Sequence, residues 1–173
     1  MNEKLLTYLV NHGLLTPAQA DKIRADFENT GRSVRELLAE GGQVTEEQLT
    51  EALSEVYRMP MVRLYEHQIP VEVRAVVRAD ILREHAMLPF GFDENEPGTL
   101  LVAMNDPMNI RGRDLVAIAS RCRIRPYLAT TTDIMLTIDR YYGTEEMQFS
   151  QYTRKLKACI DEWTKRKIRE EGK

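Results

Sequence analysis

The chain has 173 residues, 43% of them hydrophobic and 29% charged, with a formal net charge of −3. That is the composition of a folded, water-soluble protein of one ordinary domain or two small ones. No stretch approaches the ~18 apolar residues of a membrane span, the opening Met1-Asn2-Glu3-Lys4 is not that of a signal peptide, and the net charge does not point to nucleic acid. Cys122 and Cys159 make neither a zinc spacing nor a disulfide framework, which fits a reduced, cytoplasmic setting. The charge is unevenly spread. Residues 1–57 hold 10 Asp and Glu against 5 Lys and Arg, whereas residues 150–173 hold 8 Lys and Arg against 4 Asp and Glu. An acidic head and a basic tail attract each other or different partners.

The first third reads as a helical repeat. Leu5, Leu6, Leu9 and Val10 recur at helical spacing until Gly13. Thr16, Pro17 and Gln19 then predict a capping box with proline at the first helical position, and Ala20, Ile23 and Phe27 mark the apolar side of that helix. After Asn29-Thr30-Gly31 the layout starts again. Ser33 with Glu36 and Thr45 with Gln48 are two more capping-box patterns, separated by Gly41-Gly42. Gly42 follows Gly13 by 29 residues, and the same offset matches Leu9 with Leu38, Leu15 with Val44, Thr16 with Thr45, and Gln19 with Gln48. Two helical hairpins packed as one small bundle are expected over residues 1–58; two copies are too few for a solenoid.

Residues 59–143 read as a mixed α/β domain. A short strand is expected over 61–64 and a helix over 70–77 beginning at Pro70. A strand over 86–92 leads through the polar turn Asp93-Glu94-Asn95-Glu96-Pro97-Gly98 to a second over 99–104, whose apolar run predicts burial on both faces. Asn105-Asp106-Pro107 is a turn, and Asn109 caps a helix to about Ser120. Residues 123–128 alternate like an edge strand. A last helix starts at 130–132 and closes at Gly143. Strands separated by helices make the fold class α+β: the bundle, then a small mixed sheet covered by helices. Residues 144–150 read as a linker. Residues 152–169 read as an amphipathic C-terminal helix, with Leu156, Ile160 and Trp163 on one face.

Catalytic chemistry is not visible. No Gly-x-x-x-x-Gly-Lys-Ser/Thr occurs, so the chain has no phosphate-cradling loop. His12, His67 and His85 are scattered and lack a nucleophile partner. No metal-ligand spacing is present. Glu46-Glu47 is the acidic first turn of a helix. Arg121, Arg123 and Arg125 alternate along one strand face near Arg111 and Arg113. A solvated face accounts for them, and an acidic protein partner is the other reading. Lys165-Arg166-Lys167 with Trp163 reads as a solvated helix packing on its own domain or a partner, or as a segment touching anionic lipid.

Two stretches carry a family resemblance. Met59-Pro60-Met61-Val62-Arg63-Leu64, His85-Ala86-Met87-Leu88-Pro89-Phe90, the run Leu100-Leu101-Val102-Ala103-Met104-Asn105-Asp106-Pro107-Met108-Asn109 and the ending Ile138-Asp139-Arg140-Tyr141-Tyr142-Gly143 resemble the second N-terminal domain of general secretion pathway protein E and type IV pilus assembly ATPases. Gly41-Gly42-Gln43-Val44-Thr45-Glu46-Glu47-Gln48-Leu49 and Glu51-Ala52-Leu53 are similar to the helical domain before it. The resemblance implies a non-catalytic docking or regulatory module of a type II secretion or type IV pilus system. Its partners would be an inner-membrane platform or the motor ATPase, and it would be cytoplasmic or peripheral to the inner membrane. Arg121, Arg123, Arg125 and Trp163 are the partner-binding candidates.

The resemblance also implies an alternative, since some members bind cyclic di-GMP through two motifs. Each opens Arg-Leu-Gly and carries a central Gly, spaced Leu residues and a terminal Gln. Arginine would meet phosphate or guanine edges, glycine would let backbone approach, and leucine would pack on bases. Here the motifs open Lys4-Leu5-Leu6 and Ser33-Val34-Arg35, and the terminal Gln positions hold Phe27 and Val56. The ligand candidates under this alternative are Arg32, Arg35, Gly13 and Gly42; otherwise no cofactor is expected.

Overall fold

A computed structural model of the protein describes residues 2–143 and, farther on, Arg154, Lys157, Ala158, Ile160, Asp161, Thr164, Lys165 and Arg166, which are helical and exposed. The expected linker, Leu156, Cys159 and Trp163 lie outside the described residues.

Four helices form the bundle: α1 (Asn2–Asn11), α2 (Pro17–Thr30), α3 (Val34–Gly41) and α4 (Glu46–Tyr57). All three expected capping boxes form, on Thr16/Gln19, Ser33/Glu36 and Thr45/Gln48. Each satisfies helix-end amides that would otherwise lack a partner. The repeat is visible in burial. Leu9 and Leu38 are fully buried, and the pairs Leu5/Val34, Leu15/Val44 and Ala20/Leu49 at the same spacing are buried. Helix α1 packs on α4 and α2 on α3, so the two hairpins close on each other.

The second part holds a three-stranded sheet in the order β1-β2-β3. Strands β1 (Met87–Phe92) and β2 (Thr99–Met104) are an antiparallel hairpin with a bulge between Pro89 and Gly91. Strand β3 (Arg123–Leu128) is parallel to β2, reached through the crossover helix α7 (Ile110–Ser120). As expected, β2 is buried almost throughout and β3 is a half-exposed edge. Helix α8 (Thr131–Tyr142) packs against β1 and β2.

Residues 59–85 depart from the expectations. The strand expected over 61–64 is a single parallel bridge, Met61 to Leu128. Asp133 takes the Leu64 amide at 2.7 Å and the chain turns into a 3-10 segment, Leu64–Glu66, instead of extending the ladder. The helix expected over 70–77 is one turn, α5 (Val71–Arg74). A separate helix, α6 (Ala79–His85), then follows, tied to α8 by the ion pair of Arg83 with Asp139. Only Ile81 and Leu82 are apolar within its central turn, too few for a helical period to show. One continuous apolar cluster runs from Leu5 in the bundle to Ile138 in α8.

Candidate functional site

The bundle meets the sheet domain at the N-terminus of α8. Helix starts expose unpaired amides. Here Thr130 caps α8 from within, through the Asp133 amide at 3.1 Å. Glu46, at the start of α4, caps it from the other part of the molecule. Its carboxylate accepts from the Thr132 amide at 3.1 Å and the Thr132 hydroxyl at 2.6 Å. Burial pushes this carboxyl up, but the hydrogen bonds from Thr132 and Thr131 outweigh it and hold it below the ordinary range. Thr131 accepts from the Arg35 guanidinium and from Asn105 Nδ2. The turn Asn105-Asp106-Pro107 thus serves the junction, with Asp106 also accepting from the Met108 amide at 2.8 Å.

Beside this junction opens a cleft of about 460 Å³, lined by Met61, Val62, Tyr65 and Leu136 with Glu47, Arg63, Thr132 and Asp133 among its polar groups. Arg63 and Glu47 pair across it at 3.4 Å, and Asp133 is held by the Leu64 amide. Its charged groups pair with one another or with backbone, and among the described residues no nucleophile faces a base in it. Among the described residues no cluster of His, Cys, Asp or Glu is arranged to hold a metal. His12 stacks on Tyr8 and bonds its carbonyl, and His67 meets the edge of Phe90.

The structure separates the nucleotide-ligand candidates. Arg32 is committed to Glu40, which holds its guanidinium in the charged form, and lies 4.0 Å from Glu36. Arg35 points to Thr131, toward the other part of the molecule. Gly13 and Gly42 both adopt left-handed backbone, at φ 70° and 64°, in the turns that end α1 and α3. Leu6, where the family motif has glycine, is fully buried. Phe27 is 38% exposed.

The arginine run is also divided. Arg121 is the left-handed C-cap of α7, at φ 55°, not a strand residue. Arg123 is exposed and donates to the Pro97 carbonyl at 3.1 Å. Arg125 pairs with Asp93 and with Glu96 at 2.9 Å. Asp93 is held below its usual range, first by the Asn95 amide, with burial opposing and Glu96 and Arg125 adding to the effect. Arg125 thus closes the β1–β2 turn. Sequence reasoning missed Glu46 as a junction residue. Its signal was hidden because an acidic first turn has a sufficient local explanation in its own helix.

A four-helix repeat bundle seated on a three-stranded mixed sheet makes an α+β module joined at the start of α8, with no catalytic set among the described residues. The chain belongs to the MshEN domain family, whose profile matches residues 57–148, more than half of its length. It is 25% identical over 141 residues to the type IV pilus assembly ATPase PilB of Thermus thermophilus and 27% identical over 144 residues to PilB of Myxococcus xanthus. These matches take in 82% and 83% of the chain but only 16% and 25% of those relatives, so the chain corresponds to a small part of each. A structure of MshE with cyclic di-GMP superposes with a TM-score of 0.67 at 23% identity, covering 80% of this chain and 98% of that one. The N-terminal domain of XpsE superposes with a TM-score of 0.68 at 21% identity, covering 82% and 96%. The resemblance seen in the sequence, to the N-terminal region of secretion and pilus ATPases, is thereby shown, as is the α+β fold.

Proposed function

We propose that the chain is a non-catalytic docking and regulatory module of a type II secretion or type IV pilus assembly system. Residues 1–58 and 59–143 act as one docking unit, and residues 144–173 supply a linker and an amphipathic helix. The observation that carries this reading is the family match over 57–148 in a sequence without a phosphate-binding loop. Its partners are proteins of the inner-membrane platform or the motor ATPase. It works in the cytoplasm, at most peripherally on the membrane; among the described residues no helix is long and apolar enough to cross one. Arg121, Arg123 and Trp163 are partner-facing candidates, and Arg125 acts mainly on the turn beside them. In cells carrying this protein, removal of the chain is expected to abolish secretion or piliation. Unchanged secretion and piliation would overturn the reading, as would ATP hydrolysis by the purified chain.

A second reading, cyclic di-GMP sensing by the helical repeat, is supported by the fold shared with MshE, which was solved with that ligand. The residues argue against it, because the two motif-opening positions hold Lys4 and Ser33 and the nearby Arg32 is neutralised by Glu40. Calorimetric titration of cyclic di-GMP is expected to give no saturable heat. Micromolar binding that is lost in Arg32→Ala would make the sensor reading the correct one.

A further inference from the structure

Helix α7 is unusual in burying little of its apolar surface. Gly112 and Val116 face inward, and a Cβ on Gly112 would lie 2.8 Å from Met87 Cε, so this side is closely seated on the domain. Its remaining large apolar side chains point outward: Ile110 is 48% exposed, Leu115 36% and Ile118 73%. These positions lie along one side of a helix, and a helix apolar on both sides is normally covered on both. The rim of the outer side is basic. Arg111 and Arg121 are exposed, and neither makes an ion pair with another described residue. One acid, Asp114, stands between Ile110 and Ile118 in the helical row.

We propose that the outer face of α7 is the docking surface for an amphipathic helix of a protein partner, with an apolar stripe flanked by carboxylates and one cation opposite Asp114. This rests on the docking role proposed above and names its surface. Charge decides the occupant. The chain's own C-terminal segment is basic, with 8 Lys and Arg against 4 Asp and Glu over 150–173, and is repelled by the Arg111 and Arg121 rim. An anionic membrane would attract that rim but would press Asp114 against lipid phosphate, an unfavourable like-charge contact. A carboxylate-flanked helix satisfies the arginines, covers Ile110, Leu115 and Ile118, and packs beside α7 at the usual ~8–10 Å between axes.

The test is an NMR titration of the chain with a synthetic helical peptide carrying leucines at i, i+3, i+4 and i+7, flanking glutamates and one lysine. Amide shifts are expected to centre on 110–121, and to disappear in Ile118→Asp, a substitution at an exposed position that leaves the fold intact. A peptide with lysines in place of the glutamates is expected to bind about tenfold or more weakly, the effect of ~1.4 kcal/mol. Shifts centred elsewhere, no shifts, or equal affinity for both peptides would overturn the proposal. So would Ile118-dependent binding to phosphatidylserine–phosphatidylcholine vesicles in preference to the glutamate peptide. In cells, a phenotype on removing the chain but none in Ile118→Asp would sink this surface and leave the docking role standing. No phenotype on removing the chain would sink the role itself.

Discussion

Glu46 shows how one carboxylate can hold two parts of a molecule in register. It belongs to α4, yet its hydrogen bonds are spent on the start of α8. Glu46→Ala leaves those α8 groups to solvent and is expected to destabilise the protein by about 1 kcal/mol, a charged hydrogen bond discounted for exposure. Denaturant unfolding at pH 7 measures it. Because this carboxyl sits below its ordinary value of 4.5, its contribution is fully present above that pH and is lost as pH falls through the lower folded value. The wild type should therefore lose stability on acidification more steeply than Glu46→Ala. Tyr142 works in the opposite direction. Burial pushes its phenol up to about 12, with Arg74 opposing, so its contribution is present below pH 10 and lost as pH rises toward 12. An absorbance titration should show a phenol titrating near 12 that is lost in Tyr142→Phe, while the Tyr57 phenol, also pushed up by burial and by Asp106, remains.

At the scale of elements, the repeat puts one conformational demand on two glycines. Gly13 and Gly42 have open space where a Cβ would go, so only their left-handed backbone resists substitution. Gly13→Ala and Gly42→Ala should each cost about 1 kcal/mol, measured by thermal unfolding. Equal costs would mean that the repeat is energetic as well as geometric; neutrality at either would show that its turn relaxes. The bundle was legible because every signal in it is local: Thr16, Ser33 and Thr45 each bond an amide three residues on. Strands β1 and β2 were legible from apolar runs ending in polar turns, and β3 from its alternation. Residues 61–66 were not, because Asp133, far along the chain, takes the Leu64 amide and ends the strand. The arginine run misled for a related reason. Alternation in sequence placed Arg121 on a strand, while the left-handed end of α7 falls at that residue.

For the whole molecule, the bundle and the sheet domain share one apolar cluster and a hydrogen-bonded junction. Under the docking role proposed above, a force applied to either part would be carried into the other through these contacts. The leucines of the repeat have a structural use of their own. Leu5, Leu9 and Leu38 are needed as core. Docking is tested most directly by binding. The purified chain should be passed in biosensor measurements over the isolated cytoplasmic domains of the secretion or pilus platform proteins and over the motor ATPase from the same cells. Saturable binding to at least one of them is expected, weakened by Glu46→Ala through the loosened junction. Absence of binding to all of them would contradict it.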